Sequence, residues 1–260
     1  MSAAPAPDRS IDRRVGRLQV RGFPTRGAMA EAAAADIAAK LRGLLASQEA
    51  VRMVFAAAPS QADTLAALCR APGVDWARVT AFHMDEYIGL PPAAPERFAA
   101  WLDDHVFTRL PFAAVHRIVP EPDPAAAAAA YAKLLAEAPL DVVCLGIGVN
   151  GHIAFNDPPV ADFADPLDVK VVELDESCRQ QQVDDDCFAT LADVPLRAIT
   201  LTIPLLLRGR RLFCVVPGRS KRDAVAAALR GPIATSCPAS ILRTHPDCTL
   251  YLDPESDPDA

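Results

Sequence analysis

His152 and Asp157 stand five residues apart in the stretch DVVCLGIGVNGHIAFNDPP, residues 141–159. A carboxylate so placed can orient the imidazole and hold its tautomer, leaving the other ring nitrogen to exchange protons near neutral pH. Asn150 adds a further polar contact beside them. Gly146, Gly148 and Gly151 mark backbone that a ligand can approach closely, because no Cβ intervenes. The stretch opens with the unbroken apolar run Val142–Leu145, the pattern of a strand buried on both faces. His152, Asn156 and Asp157 therefore fall just past a strand's carboxyl end, where open α/β sheets place their ligands.

A second chemical pair, Asp85 and Glu86, closes the apolar run Val79–Met84. Strand alternation sends adjacent side chains to opposite sides, so one carboxylate can face the strand-end crevice while the other serves the structure. A carboxylate partly desolvated there acquires a raised pKa suited to abstracting a proton from carbon. Lys221 begins a predicted helix, where a cation opposes the helix dipole. An anion bound at that helix start, shared by backbone N–H groups and the ammonium, would account for it. A solvated surface lysine is the plainer alternative.

Residues 146–151 also match G-x-G-x-x-G after a strand, the dinucleotide fingerprint. The pattern lies past the middle of the chain, and Pro158 and Pro159 leave little room for the helix that must hold a pyrophosphate. A cofactor-free loop is the better reading.

The elements that must position these groups alternate. Strands are predicted at 18–23, 51–57, 79–84, 142–145, 169–174, 198–203, 211–217 and 249–252. Helices are predicted at 26–47, 61–69, 96–110, 125–135, 176–183 and 220–230. This is an α/β chain: a single Rossmann-like, doubly wound domain over residues 15–255, its mostly parallel sheet flanked by helices. Residues 1–14, rich in Pro, Ala and Arg, are expected to be disordered, and the acidic tail 256–260 to fray.

Composition narrows the function. The chain has 260 residues, 51% of them apolar, enough for a sizeable core. Its net charge of −7 with no basic stripe argues against nucleic acid. No apolar run reaches membrane-spanning length, and no N-terminal apolar leader precedes the domain, so a cytoplasmic location is expected. None of the seven cysteines forms a C-x-x-C pair, so zinc finds no support and reduced core thiols are expected.

Taken together, FHMDEYIGLP (82–91), LGIGVNGHIAFNDPP (145–159), LDESCRQ (174–180), VVPGRSK (215–221) and the weaker TSCPASILRTHP (235–246) resemble the glucosamine-6-phosphate deaminase (amino-sugar isomerase) family. That family shares a fold superfamily with the 6-phosphogluconolactonases, which carry different residues at the first two motifs. The resemblance implies conversion of an amino sugar phosphate to a ketose phosphate and ammonia, with no metal or organic cofactor. It assigns sugar-ring opening to His152 with Asp157 and Asn150, proton transfer from C2 to C1 to Asp85, and phosphate binding to Lys221. Ser60, Gln61, Asp63, Glu86, Gly148, Gly151 and Arg179 complete the expected substrate contacts. Family members are often homo-oligomers.

The chain departs from the pattern at four places. Gln61 and Ala62 stand where the phosphate loop is usually glycine-rich, and Asp63, if turned inward, would repel a phosphate. A phosphate-binding lid arginine aligns with Asp184, with Arg179 its nearest substitute. Asn150 stands where some members have aspartate, and Asp157 replaces the usual glutamate. These departures keep open the same chemistry on an unphosphorylated or differently substituted amino sugar. A non-catalytic sugar-phosphate-binding regulator and a lactonase are more distant alternatives.

Overall fold

The chain's apolar runs become the middle of a parallel sheet in the computed structural model, which describes residues 11–260. In chain order the strands are β1 (Ile11–Val15), β2 (Leu18–Gly22), β3 (Val51–Phe55), β4 (Val79–His83), β5 (Asp85–Tyr87), β6 (Ala114–His116), β7 (Val142–Leu145), β8 (Val169–Glu173), β9 (Arg197–Leu201), β10 (Arg211–Val216) and β11 (Cys248–Leu252). The α-helices are α1 (Arg26–Leu45), α2 (Ala62–Arg70), α3 (Phe98–Leu102), α4 (Pro124–Ala136), α5 (Glu176–Asp184), α6 (Ile203–Leu207) and α7 (Arg222–Arg230).

Eight strands form the main sheet in the order β1-β2-β11-β10-β7-β3-β4-β6, parallel except for the antiparallel edge strand β1. From β3 the chain winds outward through β4 and β6, then returns to lay β7 on the opposite side of β3 and continues to β10 and β11. The winding direction thus reverses between β3 and β7. Such a switch point opens a crevice at the strands' carboxyl ends, and the loops after β3 and β7 both empty into it.

Helices cover the sheet because their sequences give them a buried face. In α1, Met29, Ala33, Ile37 and Leu41 recur at helical spacing and are buried. Burying a side chain such as Ile37 or Leu41 contributes roughly 1.5–3 kcal/mol. The Thr25 hydroxyl caps this helix by accepting from Ala28 N–H at 3.1 Å, and Asp123 caps α4 in the same way.

Several expectations are corrected. Residues 11–14, expected to be disordered, belong to β1; residues 1–10 lie outside the described part. The acidic tail does not fray: Ser256 and Asp257 are buried. Arg13 Nη1 donates to Asp257 at 2.9 Å, and Arg222 donates to the carbonyls of Pro254 and Ala260, each at 3.1 Å. Buried charge at the tail is thereby matched by arginines distant in sequence.

The helix expected at 96–110 is α3 followed by a π-helical turn, Asp103–Phe107. The wider turn lets the consecutive residues Val106 and Phe107 both face the core. The strand expected to reach Ile203 stops at Leu201, where Pro204 opens α6. β8 and β9 also leave the parallel pattern: β9 pairs antiparallel with both β5 and β8 in a separate sheet ordered β5-β9-β8. All seven cysteines are free thiols, as expected. No helix among the described residues is long and apolar enough to cross a membrane.

Candidate active site

Met84 is the single residue between β4 of the main sheet and β5 of the small one. Its N–H donates to Phe55 O at 3.2 Å, and its carbonyl accepts from Leu201 N–H at 2.8 Å, so both sheets grip it. Asp85 follows at the junction, with its carboxylate in the crevice. Only 6% of Asp85 is exposed, and nothing among the described residues donates a hydrogen bond to its carboxylate. Burial, and then the neighbouring Glu86 charge, push its pKa well above the ordinary carboxylate value.

Glu86 takes the opposite side, as strand alternation requires. It is fully buried and accepts from the N–H groups of Tyr87, Phe98 and Ala99 at 2.9–3.1 Å, with Arg97 3.7 Å away. It caps the start of α3 and does not line the pocket, which corrects its expected role as a substrate contact. Burial raises its pKa too, but the three N–H donors and Arg97 oppose that rise.

The loop after β7 carries the second group. His152 Nδ1 lies 2.8 Å from Asp157 Oδ1, a contact that is short but bent away from the ring's N–H axis. Asn150 ties the pair together: its Nδ2 donates to Asp157 Oδ1 at 2.9 Å, and its Oδ1 accepts from His152 N–H at 3.0 Å. Burial alone would raise the Asp157 pKa, but the histidine, Asn150 and the Cys178 thiol outweigh it and hold the carboxyl below its ordinary value. Asp157 therefore stays ionised beside the ring.

The loop itself is pinned to β9. Asn156 Nδ2 donates to Ile153 O and Leu201 O, both at 2.9 Å, and Phe155 N–H donates to Thr200 Oγ1 at 3.0 Å. Gly148 is needed because the imidazole occupies the space of its missing side chain; a Cβ there would lie 2.1 Å from His152 Cε1 and Nε2. Gly151, with φ of +84°, packs against Cys237 instead and does not line the pocket. No helix follows the glycines before α5, so no helix N-terminus awaits a pyrophosphate there.

Lys221 marks the far end of the pocket, at the turn between β10 and α7. It is 4% exposed, and its Nζ has no hydrogen-bond partner among the described residues. Burial lowers its pKa, against the raising effect of Asp185, whose Oδ2 lies 3.9 Å away. Ser60 and Gln61 line the same end from the loop after β3; Gln61 Nε2 donates to Val215 O at 3.1 Å and braces that loop on β10.

Asp63 turns outward and pairs with Arg26 at 2.6 Å, both about half exposed, so it neither contacts nor repels a pocket anion. Arg179 is not a substitute lid arginine. Its guanidinium donates to the carbonyls of Leu191 and Val194, which secures the segment after α5.

The sequence patterns missed Gln181, Gln182, Asp185, Phe98 and Phe155, all of which border the pocket. Gln181 accepts from Val149 N–H at 2.9 Å, and Gln182 accepts from Tyr87 Oη at 2.9 Å, so both support it from α5. The rings of Tyr87, Phe98 and Phe155 pack as an apolar wall, with centroids 4.6–5.5 Å apart, the two phenylalanines stacked and the tyrosine tilted against both. Two adjacent glutamines buried in a polar helix are the one sequence signal that pointed there.

His152, Asp157 and Cys178 present atoms of metal-ligand type within 4.8 Å of one another. Burial, and then Asp157, push the Cys178 pKa well up.

The profile of the family described as glucosamine-6-phosphate isomerases/6-phosphogluconolactonase matches residues 24–251. The chain belongs to that family. Within it, the chain is 38% identical over 185 residues to a glucosamine-6-phosphate deaminase of Exiguobacterium sp., covering 69% of each chain. It is 34% identical over 199 residues to a glucosamine-6-phosphate deaminase of Enterococcus faecalis, covering 75% of this chain and 82% of that one. Among solved structures, a monomeric glucosamine-6-phosphate deaminase superposes with a TM-score of 0.84 at 27% identity, over 91% of this chain and 98% of that one. A 6-phosphogluconolactonase from Thermotoga maritima shares the family fold, with a TM-score of 0.74 at 17% identity over 90% and 98% of the two chains.

Proposed function

We propose that the protein is a deaminating aldose–ketose isomerase that converts glucosamine 6-phosphate and water to fructose 6-phosphate and ammonia. One observation carries this reading: a single strand-end pocket holds an unsupported carboxylate of raised pKa, an imidazole backed by a carboxylate, and a buried ammonium with no hydrogen-bond partner among the described residues. The deaminases related to this chain at 34–38% identity point the same way.

The chemistry follows from those groups. His152, steadied by Asp157 and Asn150, moves a proton from the anomeric hydroxyl to the ring oxygen and opens the sugar. Asp85 takes the proton from C2, and the electron pair passes through an enolamine. Asp85 returns the proton at C1, leaving an imine at C2. Water adds to that imine and ammonia departs, a hydrolysis that needs no oxidant. The raised Asp85 pKa suits both directions of transfer, because a base that must return its proton works best when it does not hold its charge too firmly. Lys221 and Ser60 take the phosphate at the other end. With Asp63 turned outward, the repulsion it would have brought to the phosphate loop falls away, while Gln61 and Ala62 still stand in place of glycines.

A second reading, the same chemistry on an unphosphorylated amino sugar, is favoured by Asp185, a carboxylate that faces the anion end. Ammonia release measured from glucosamine 6-phosphate and from glucosamine separates the two. Turnover of the phosphate at much the higher kcat/KM is expected, and turnover of the free sugar alone would replace the first reading by the second. Deuterium incorporation from solvent into the product at C1 tests the proton transfer itself.

A further inference from the structure

The last turn of α5 and the two residues after it read Val183-Asp184-Asp185-Asp186. Three carboxylates thus gather where the helix dipole already concentrates negative charge, and no basic residue stands in that turn. Asp184 is used locally, accepting from Gln180 Nε2 at 2.9 Å on the exposed face. Asp185 turns the other way. It borders the pocket with Ser60, Gln61 and Lys221, and it accepts from Gln181 Nε2 at 3.1 Å. Its Oδ2 lies 3.9 Å from Lys221 Nζ, too far for a hydrogen bond, so the two charges face each other across a gap.

We propose that Asp185 is the resident counter-ion of Lys221 and a specificity-determining residue of the pocket, displaced when the substrate's phosphate takes over the ammonium. The proposal rests on the reading of the substrate as a sugar phosphate. A carboxylate and a phosphate cannot both stand beside one buried lysine without strong repulsion. The helix dipole and the arriving phosphate both push Asp185 outward, and only Lys221 and Gln181 hold it in. Asp186 follows directly with φ of +59°, a strained left-handed conformation for a residue with a side chain, and it ends the helix where the backbone must give.

Two consequences follow. Phosphate affinity is set below what the buried lysine alone would provide, because each anion must first displace another. A sugar without an anion leaves Asp185 on Lys221 and α5 in place. The same helix carries Gln181 against Val149 of the histidine loop and Gln182 against Tyr87 of the aromatic wall. Displacement of its end therefore reaches the groups around His152 and Asp85.

The test compares Asp185→Asn with Asp184→Asn, which removes the same charge one residue away on the outer face. Steady-state ammonia release from glucosamine 6-phosphate and competitive inhibition by inorganic phosphate are measured, with thermal melts to check folding. Asp185→Asn is expected to lower both KM and the phosphate inhibition constant about tenfold, with a much smaller change in kcat. Asp184→Asn is expected to move either constant less than about twofold. Equal shifts in the two variants would reduce the effect to general surface charge and overturn the proposal. So would an unchanged or raised KM in Asp185→Asn. Should the wild-type protein deaminate glucosamine but not its 6-phosphate, the functional reading fails by itself. Calorimetric binding of inorganic phosphate to the two variants then still decides the role of Asp185.

Discussion

At one end of the pocket, Asp157 is held by His152, Asn150 and the Cys178 thiol, and the loop that carries the histidine is bonded to β9 at two points. At the other end, Lys221 is buried to a similar degree yet bonds to nothing, and the carboxylate opposite stays 3.9 Å away. Proton transfer needs atoms held within fractions of an ångström, and the bonds made by Asn150, Phe155 and Asn156 supply that rigidity. Anion binding needs charge and room, and a buried cation whose counter-charge stands off at 3.9 Å supplies both. Asp85 belongs functionally to the first end but resembles the second in being unsupported. The catalytic use proposed for it and its cost to stability therefore have one origin.

Asp85→Asn tests that link with the largest expected effect. The variant should lose about 10³-fold or more in kcat, within the range of general acid–base contributions, measured by ammonia release. Its melting temperature should rise. A carboxyl whose folded pKa is raised binds its proton more tightly in the native state, so the wild-type protein loses stability as pH climbs from the ordinary carboxylate range through the raised value. The advantage of the amide should therefore be greatest at neutral and alkaline pH and vanish toward pH 4. An advantage independent of pH would show that the carboxylate is not a buried charge.

Lys221→Met probes the other end. KM for glucosamine 6-phosphate should rise roughly 10- to 100-fold, the weight of a charge-assisted hydrogen bond, with kcat changed less. Because burial lowers the lysine's pKa, its charge opposes folding at neutral pH, and that opposition fades as pH rises through the lowered value. The methionine variant should accordingly melt higher near neutral pH and converge with the wild type in alkali. A fall in kcat at unchanged KM would move Lys221 to the reaction end.

Gly148→Ala is a smaller disturbance of the rigid end. Its Cβ would displace the His152 ring, and a misplacement of about 1 Å is expected to cost about 10- to 100-fold in kcat. A ring that shifts without loss of rate, seen by the imidazole's NMR titration, would mean that the fixed geometry matters less than the Asp157 contact. Asp63→Ala should have the least effect, less than about twofold in KM, because the side chain pairs with Arg26 at the surface. A marked fall in KM would show that its charge reaches the phosphate after all.

The two ends were unequally legible in the amino-acid sequence, for the same physical reason that they differ in structure. The apolar run into Gly146 and Gly148, the five-residue step from His152 to Asp157 and the alternation of Asp85 with Glu86 are short-range patterns, and each places its side chain with little help from the rest of the chain. The main sheet could be read likewise from its β-rich runs. The anion end depends on rotation about helix axes. Nothing local says that Asp63 in the first turn of α2 faces solvent while Asp185 after α5 faces the pocket, or that Arg179 spends its guanidinium on two carbonyls. The small antiparallel sheet escaped notice because β5 has three residues and its partners come from far along the chain. The π-helical turn escaped because one extra residue in a turn leaves an amphipathic pattern nearly unchanged.

Met84 is held by the carbonyl of Phe55 in one sheet and the N–H of Leu201 in the other, and the residue beside it carries the carboxylate proposed as the base. The position of Asp85 is therefore a mechanical average of two platforms. A packing change that tilts the small sheet by a degree or two would slide the carboxylate relative to the sugar while leaving every pocket side chain intact. The fold thus contains a tuning screw for the proton-transfer step at a distance from the substrate, where drift in core residues beneath β8 and β9 could adjust rate without touching recognition.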